Sequence, residues 1–222
     1  MTSPLDSNAV ADYLLNNPHF FEEHAEVLAQ VRLSSPLGGR TLSLQERQMD
    51  VMREKLKLME LRLAELIRIG QENDGITHKL HEWTRALLLA RNDVDLPHTL
   101  TTGLQDIFKV PHATLRLWSV AEEYAHTWFA APVSEDSRLF AGGLSVPFCG
   151  GNNDFEAASW LEDAPAIQSV ALVPLRREDT QEAFGLLVLG SPDASRFTSD
   201  MATDFLDNIG RTASAALSCL LD

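Results

Sequence analysis

Two apolar runs, Ser169–Leu175 and Phe184–Gly190, stand on either side of a charged stretch rich in turn-forming residues. Each has strand length, is rich in Val and Leu and is bounded by breakers, which predicts a β-hairpin at the centre of a sheet. Gly190-Ser191-Pro192-Asp193 then turns the chain. A helix is predicted from about Ser199, with Phe205, Ile209, Ala213, Ala216 and Leu220 on one face. Upstream, Pro97 opens a helix through Leu100, Leu104, Ile107 and Phe108, which Pro111 ends. Ala113–Val120 and Tyr124–Ala131 read as a second hairpin around Glu122-Glu123. Between the hairpins lie a short helix over 134–141, a strand-like piece Leu144–Phe148 in a glycine-rich segment, and one or two helical turns over Asp154–Leu161. Four or five largely antiparallel strands with helices at both ends predict an α+β domain, its helices stacked on one sheet face.

A different period governs the first half. Met49, Met52, Leu56, Met59, Leu63 and Leu66 recur at alternating steps of three and four, a coiled-coil seam over almost three heptads. In a parallel dimer of this register, Lys55 of one copy faces Glu60 of the other. Asp50/Arg53, Glu54/Lys57 and Glu65/Arg68 support the helix along its own surface. A second apolar set, Val51, Leu58, Leu61 and Ile69, keeps open the alternative that the helix packs on its own domain. Ser43 with Glu46 forms a capping-box pattern at its start. Gly70 to Gly75 interrupts the seam, as a hinge or a surface kink. Ile76, Leu80, Trp83 and Leu87 resume with a broader stripe suited to lying on a sheet.

Ahead of this helix, Val10, Tyr13 and Leu14 mark a short helix stopped at Asn17-Pro18. Pro18 opens another helix bearing Phe20, Phe21, His24, Leu28 and Val31. Ser35 to Gly39 reads as a loop. The expected organisation is a helical hairpin over 1–35, a loop and coiled-coil linker over 36–75, and one domain over 76–222.

Charge narrows the partners. The net charge is −14, and residues 93–222 hold nineteen acidic against seven basic side chains. Such a surface repels a phosphate backbone. The N-terminal hairpin has Arg32 as its one basic side chain, too little for a recognition helix. The two cysteines, Cys149 and Cys219, form neither a disulfide framework nor a zinc pattern. No basic, apolar leader opens the chain and no run approaches about 18 apolar residues, so a cytoplasmic protein that does not span a membrane is expected.

The motifs Asn17-Pro18-His19-Phe20-Phe21, Gly38-Gly39, Ser43-Leu44-Gln45-Glu46-Arg47-Gln48 and Gly190-Ser191-Pro192-Asp193 with Phe197 resemble the bacterial domain-of-unknown-function family 484. The central hairpin, Arg196-Phe197-Thr198 and the terminal helix resemble a GAF domain. The resemblance implies a GAF-like domain behind a connecting helix, and a role in small-molecule sensing or in dimerisation alone. It also makes a recombination-related partner conceivable, since such genes often neighbour a recombinase gene. The known ligand signatures of GAF domains are missing: there is no cyclic-nucleotide Asn-Lys-Phe-Asp-Glu set, and Cys149 is followed by Gly150 rather than the His of a bilin site.

Catalytic patterns are missing too. There is no G-x-S-x-G elbow and no phosphate loop followed by Lys. His78, His81 and Glu82 could reach one metal ion, but three exposed polar residues on a helix are the commoner case. A non-enzymatic protein without an assignable cofactor is expected. If a pocket exists, strand alternation places Thr114, Arg116 and Trp118 on one face and Leu115 and Leu117 on the other. The first face would meet the covering excursion, with Trp128, Phe148, Cys149, Ser169 and Ala171 as neighbours. Arg116 beside Trp118 suits an anionic, planar ligand; equally, Arg116 could pair with a surface acid while Trp118 fills the core. The expectation is a homodimeric regulatory protein that binds a small molecule. The alternative is a scaffold for a partner protein, its pocket filled by its own side chains.

Overall fold

A computed structural model describes residues 6–30, 32–34, 41–200 and 203–222. The Ser35–Gly39 loop lies outside the described residues, as do the side chains of Ser43 and Glu46 on which the capping box depends. The chain divides into two compact units, Met1–Glu72 and Asn73–Asp222.

The N-terminal region is helical, with α1 at Ser7–Asn16, α2 at Phe20–Glu23 and α3 at Ala25–Gln30. The Asp6 carboxylate caps α1 by accepting from the Asn8 amide. The single helix expected after Pro18 is two, because His24 leaves helical geometry at φ −122°, ψ 46°. A small antiparallel pair unsignalled by periodicity follows, β1 at Arg32–Ser34 with β2 at Thr41–Ser43. Helix α4 then runs from Leu44 to Leu88 without a break. The expected interruption at Gly70–Gly75 does not form. Two glycines cost about 1 kcal/mol each relative to alanine, and the ion pairs of Arg68 with Glu65 and Glu72 clamp the turns leading into them. The Asp50–Arg53 pair also forms, at 3.3 Å.

The second unit is the α+β domain. Its sheet has the order β3-β6-β5-β4, with β3 at His112–Leu117, β4 at Phe148–Gly151, β5 at Ser169–Arg176 and β6 at Ala183–Ser191. All three pairings are antiparallel, and the β5–β6 hairpin aligns Ser169 with Ser191. The strand expected at Leu144–Phe148 begins only at Phe148. Period-two alternation sends Leu115, Leu117, Ala171, Val173, Leu187 and Leu189 to one face, where they meet Trp83 and Leu87 of α4. Helices α5 (Leu96–Phe108) and α7 (Asp204–Leu217) complete that layer through Leu100, Leu104, Ile209, Ala213 and Leu217. Helix α7 approaches β5 so closely that a Cβ on Gly210 would stand 2.7 Å from Val173 Cγ1. The opposite face carries Val170, Leu172, Leu186 and Val188, covered by Ala141 of α6 (Glu135–Gly143) and by Ala157, Ala158, Leu161 and Ile167.

The expected partner strand at Tyr124–Ala131 is not a strand. Ser119 turns the chain in the left-handed region at φ 67°. Single 3-10 turns follow at Glu122–Tyr124 and Trp128–Ala130, and Phe129 drops fully buried into the helix-side core. Three alanines and the following Pro132 give this stretch little strand preference, and burial of one phenyl ring outweighs it. Strand β3 therefore remains an edge. Because the Trp118 amide bonds the Phe184 carbonyl inward at 2.8 Å, alternation turns the backbone groups of Ala113, Leu115 and Leu117 outward. Among the described residues, no backbone or side-chain acceptor takes their N–H groups.

The excursion is braced by one carboxylate. Glu156 accepts from the amide and hydroxyl of Ser134 and from the Ser137 hydroxyl at 2.8 Å. These bonds hold its carboxyl below the usual carboxylate range. A depressed folded pKa stabilises the fold above the unfolded value and loses that contribution as pH falls through the folded one. Glu156→Gln will therefore lower the melting temperature at neutral pH, and its difference from the wild type will shrink as the pH falls through the depressed folded pKa of Glu156, below the ordinary glutamate range. Thermal melts across that interval check this.

Candidate functional site

A cleft of about 300 Å³ opens along the free edge of β3. Its floor is His112, Ala113, Thr114 and Arg116. One wall is the polar face of α5, with His98, Thr101, Thr102 and Gln105, and the other holds Trp128, Trp160 and Glu162. Helix α5 supplies this wall because its apolar positions, Leu100 and Leu104, are turned to the core, which leaves His98 exposed and Thr102 and Gln105 partly exposed, while Thr101 is buried at the base of the wall.

Arg116 is the charge at the centre. Its Nη1 donates to the Leu115 carbonyl at 3.1 Å, and its guanidinium carbon stands 5.7 Å from the Trp160 ring centre. Among the described residues no carboxylate forms an ion pair with it. Burial pulls its pKa below the ordinary guanidinium value, yet a guanidinium stays charged at any physiological pH. Trp128 is 44 % exposed, unusual for so large an apolar ring.

The eight residues expected at a pocket separate into groups. Thr114, Arg116 and Trp128 line this cleft together. Trp118 faces the same side of the sheet but packs into the excursion, its Nε1 donating to the Ala183 carbonyl at 2.7 Å. Phe148 lies among Phe140 and Phe155, with ring centres 6.4 and 5.1 Å away. Cys149, Ser169 and Ala171 are buried on the helix side, because β4 pairs Cys149 opposite Ala171. The Ser169 hydroxyl donates to the Asp193 carbonyl at 2.6 Å. Burial raises the Cys149 thiol pKa, which makes it an unreactive core side chain. His98, Thr102, Gln105, His112, Trp160 and Glu162 were not foreseen. The polar stripe at 98, 101, 102 and 105 was the available signal.

A larger recess, about 590 Å³, lies between α7 and residues 142–147. Its Arg176 is already engaged, donating to the carbonyls of Ala141, Gly142, Leu144 and Gln181 and so closing the C-terminus of α6. No free cation–aromatic pairing of the Arg116 kind lines it, and the smaller cleft is the stronger candidate.

Among the described residues no group of three His, Cys, Asp or Glu side chains is placed to hold a metal ion, and no helix is long and apolar enough to cross a membrane.

A family profile described as "Protein of unknown function, DUF484" matches residues 1–218. The chain belongs to the DUF484 family. Relatives include the uncharacterized protein YigA of Escherichia coli K12, 29 % identical over 92 % of this chain and 88 % of its own length. YigA of Salmonella typhimurium LT2 is 26 % identical over the same shares. Similar solved structures include the GAF domain of an Acinetobacter phosphoenolpyruvate-protein phosphotransferase, at 13 % identity and a TM-score of 0.45, covering 64 % of this chain and 92 % of that one. The GAF domain of the potassium sensor histidine kinase KdpD from Escherichia coli matches at 15 % identity and a TM-score of 0.39, covering 65 % and 94 %.

Proposed function

We propose that this DUF484 protein is a non-enzymatic, homodimeric regulatory protein of the cytoplasm, whose α+β domain binds a small molecule in the cleft beside Arg116. One observation carries the reading: a half-buried guanidinium without a carboxylate partner, in an open cleft walled by two tryptophans. A cation removed from water and left unpaired is costly, and a bound anion offsets that cost. The seam of α4 supports a second copy as its own partner. Its six residues are 52–65 % exposed, and Lys55 and Glu60 complement each other across a parallel pair.

A scaffold that binds a partner protein and no ligand is the second reading. It is favoured by the covered side of the sheet, where Phe140, Phe148, Phe155 and Trp118 fill the space beneath the excursion. Native mass spectrometry of freshly purified full chain separates the two. The expected result is a dimer retaining a small-molecule mass that Arg116→Gln loses. A dimer with no added mass, before and after incubation with a protein-free cell extract, overturns the ligand reading in favour of the scaffold.

A further inference from the structure

We infer that the cleft beside Arg116 takes a flat aromatic monocarboxylate; the inference rests on the reading of this cleft as a small-molecule site. Four features converge on that class. The first is charge. Arg116 is the one permanent cation of the lining, which also holds the imidazoles of His98 and His112; it has no acidic partner, while Glu162 sits in the same lining with opposite charge. One negative group on the ligand balances Arg116, whereas a second meets Glu162 unfavourably, which disfavours di- and triphosphates and dicarboxylates. The second is the donor set. The guanidinium fork matches a carboxylate, and Ala113 in the floor turns an unpaired N–H out of the sheet edge, a second donor in the same lining. The third is shape. Trp128 and Trp160 offer two indole surfaces, which favour a planar, apolar ring over an aliphatic chain. The fourth is size. A volume of about 300 Å³ is at the lower end for ligand pockets, room for one ring system bearing one acidic group.

Calorimetric titration of the full chain with three probes tests this: indole-3-carboxylate, neutral indole, and acetate. Indole-3-carboxylate is expected to bind at least about ten-fold more tightly than either of the others. Arg116→Gln removes the advantage of the carboxylate over indole, Arg116→Lys retains part of it, and Trp160→Leu weakens both ring-bearing probes. Unchanged circular dichroism for each variant keeps the comparison one of binding. Equal affinity for indole and its carboxylate in the wild type overturns the monocarboxylate class but leaves a small-molecule cleft. No binding of any probe, alongside a retained molecule that requires Arg116, also overturns the class alone. No probe binding and no retained molecule overturns the class and the ligand reading together.

Discussion

Replacing Trp83 with alanine is expected to destabilise the domain by about 3–5 kcal/mol, the usual cost of deleting a fully buried aromatic side chain. The indole is 0 % exposed and belongs to the helix-side core. Its Nε1 donates to the Leu100 carbonyl at 3.1 Å, so one side chain joins the end of α4 to α5 by packing and by a hydrogen bond. Gly103 leaves the room: a Cβ there would stand 2.5 Å from Trp83 Cδ1. Alanine at 83 thus opens a void walled by a helix that cannot move inward without losing Leu100 and Leu104 from the sheet. Against a total stability of about 5–15 kcal/mol this is a large fraction. The melting temperature should fall by about 6–20 °C. Trp128→Ala supplies the contrast. Its ring is partly in water, so its removal should cost well under half as much. Paired denaturant titrations of the two variants check the difference, and equal losses would contradict the placement of Trp83.

Leu56→Asp or Leu63→Asp is expected to convert the proposed dimer to a monomer. In a two-stranded seam each leucine contributes about 1.5–3 kcal/mol of burial, and a dimer contains two copies of every substitution. Losing about 3–6 kcal/mol raises the dissociation constant roughly 150- to 20,000-fold, before the added cost of a desolvated carboxylate. Sedimentation at micromolar concentration reads this directly. Both leucines are exposed in the single chain, so the melting of the α+β domain should not change. A variant that remains dimeric places the interface elsewhere than the seam.

The two expectations rest on side chains that look alike in sequence and differ in what surrounds them. Leu56 and Leu63 occupy the same kind of helical stripe as Leu80, Trp83 and Leu87 on the same unbroken helix. Leu56 and Leu63 stand in solvent, while Trp83 and Leu87 are buried in the core of the second unit. Helical period reports which residues share a face. It does not report what that face meets.

The elements legible in the sequence are those whose signal is local. The strands Ser169–Arg176 and Ala183–Ser191 announce themselves through continuous β-branched and aliphatic runs between breakers, because a strand covered on both faces needs apolar groups at every position. Leu115 and Leu117 against Thr114 and Arg116 follow from the pleat alone, and so did their assignment to opposite faces. The family, too, is written in motifs spread along most of the chain.

Tertiary structure decided the rest. Whether Tyr124–Ala131 pairs with β3 depended on Phe129 finding a place in a core built from α4, α5 and α7, which no local pattern describes. Whether Ala171 faces the same side as Arg116 depended on the registers of β5 and β3 against β6, and Cys149 follows Ala171 through the register of β4 against β5. The cleft itself joins residues 98, 116, 128 and the pair 160 and 162 from four separate segments, and its chemistry exists only once α5, the β3 edge and the excursion are brought together. Periodicity is a property of neighbours along the chain, and a binding site is a property of neighbours in space. The central hairpin could therefore be read in advance, and the site beside Arg116 could be read only in part.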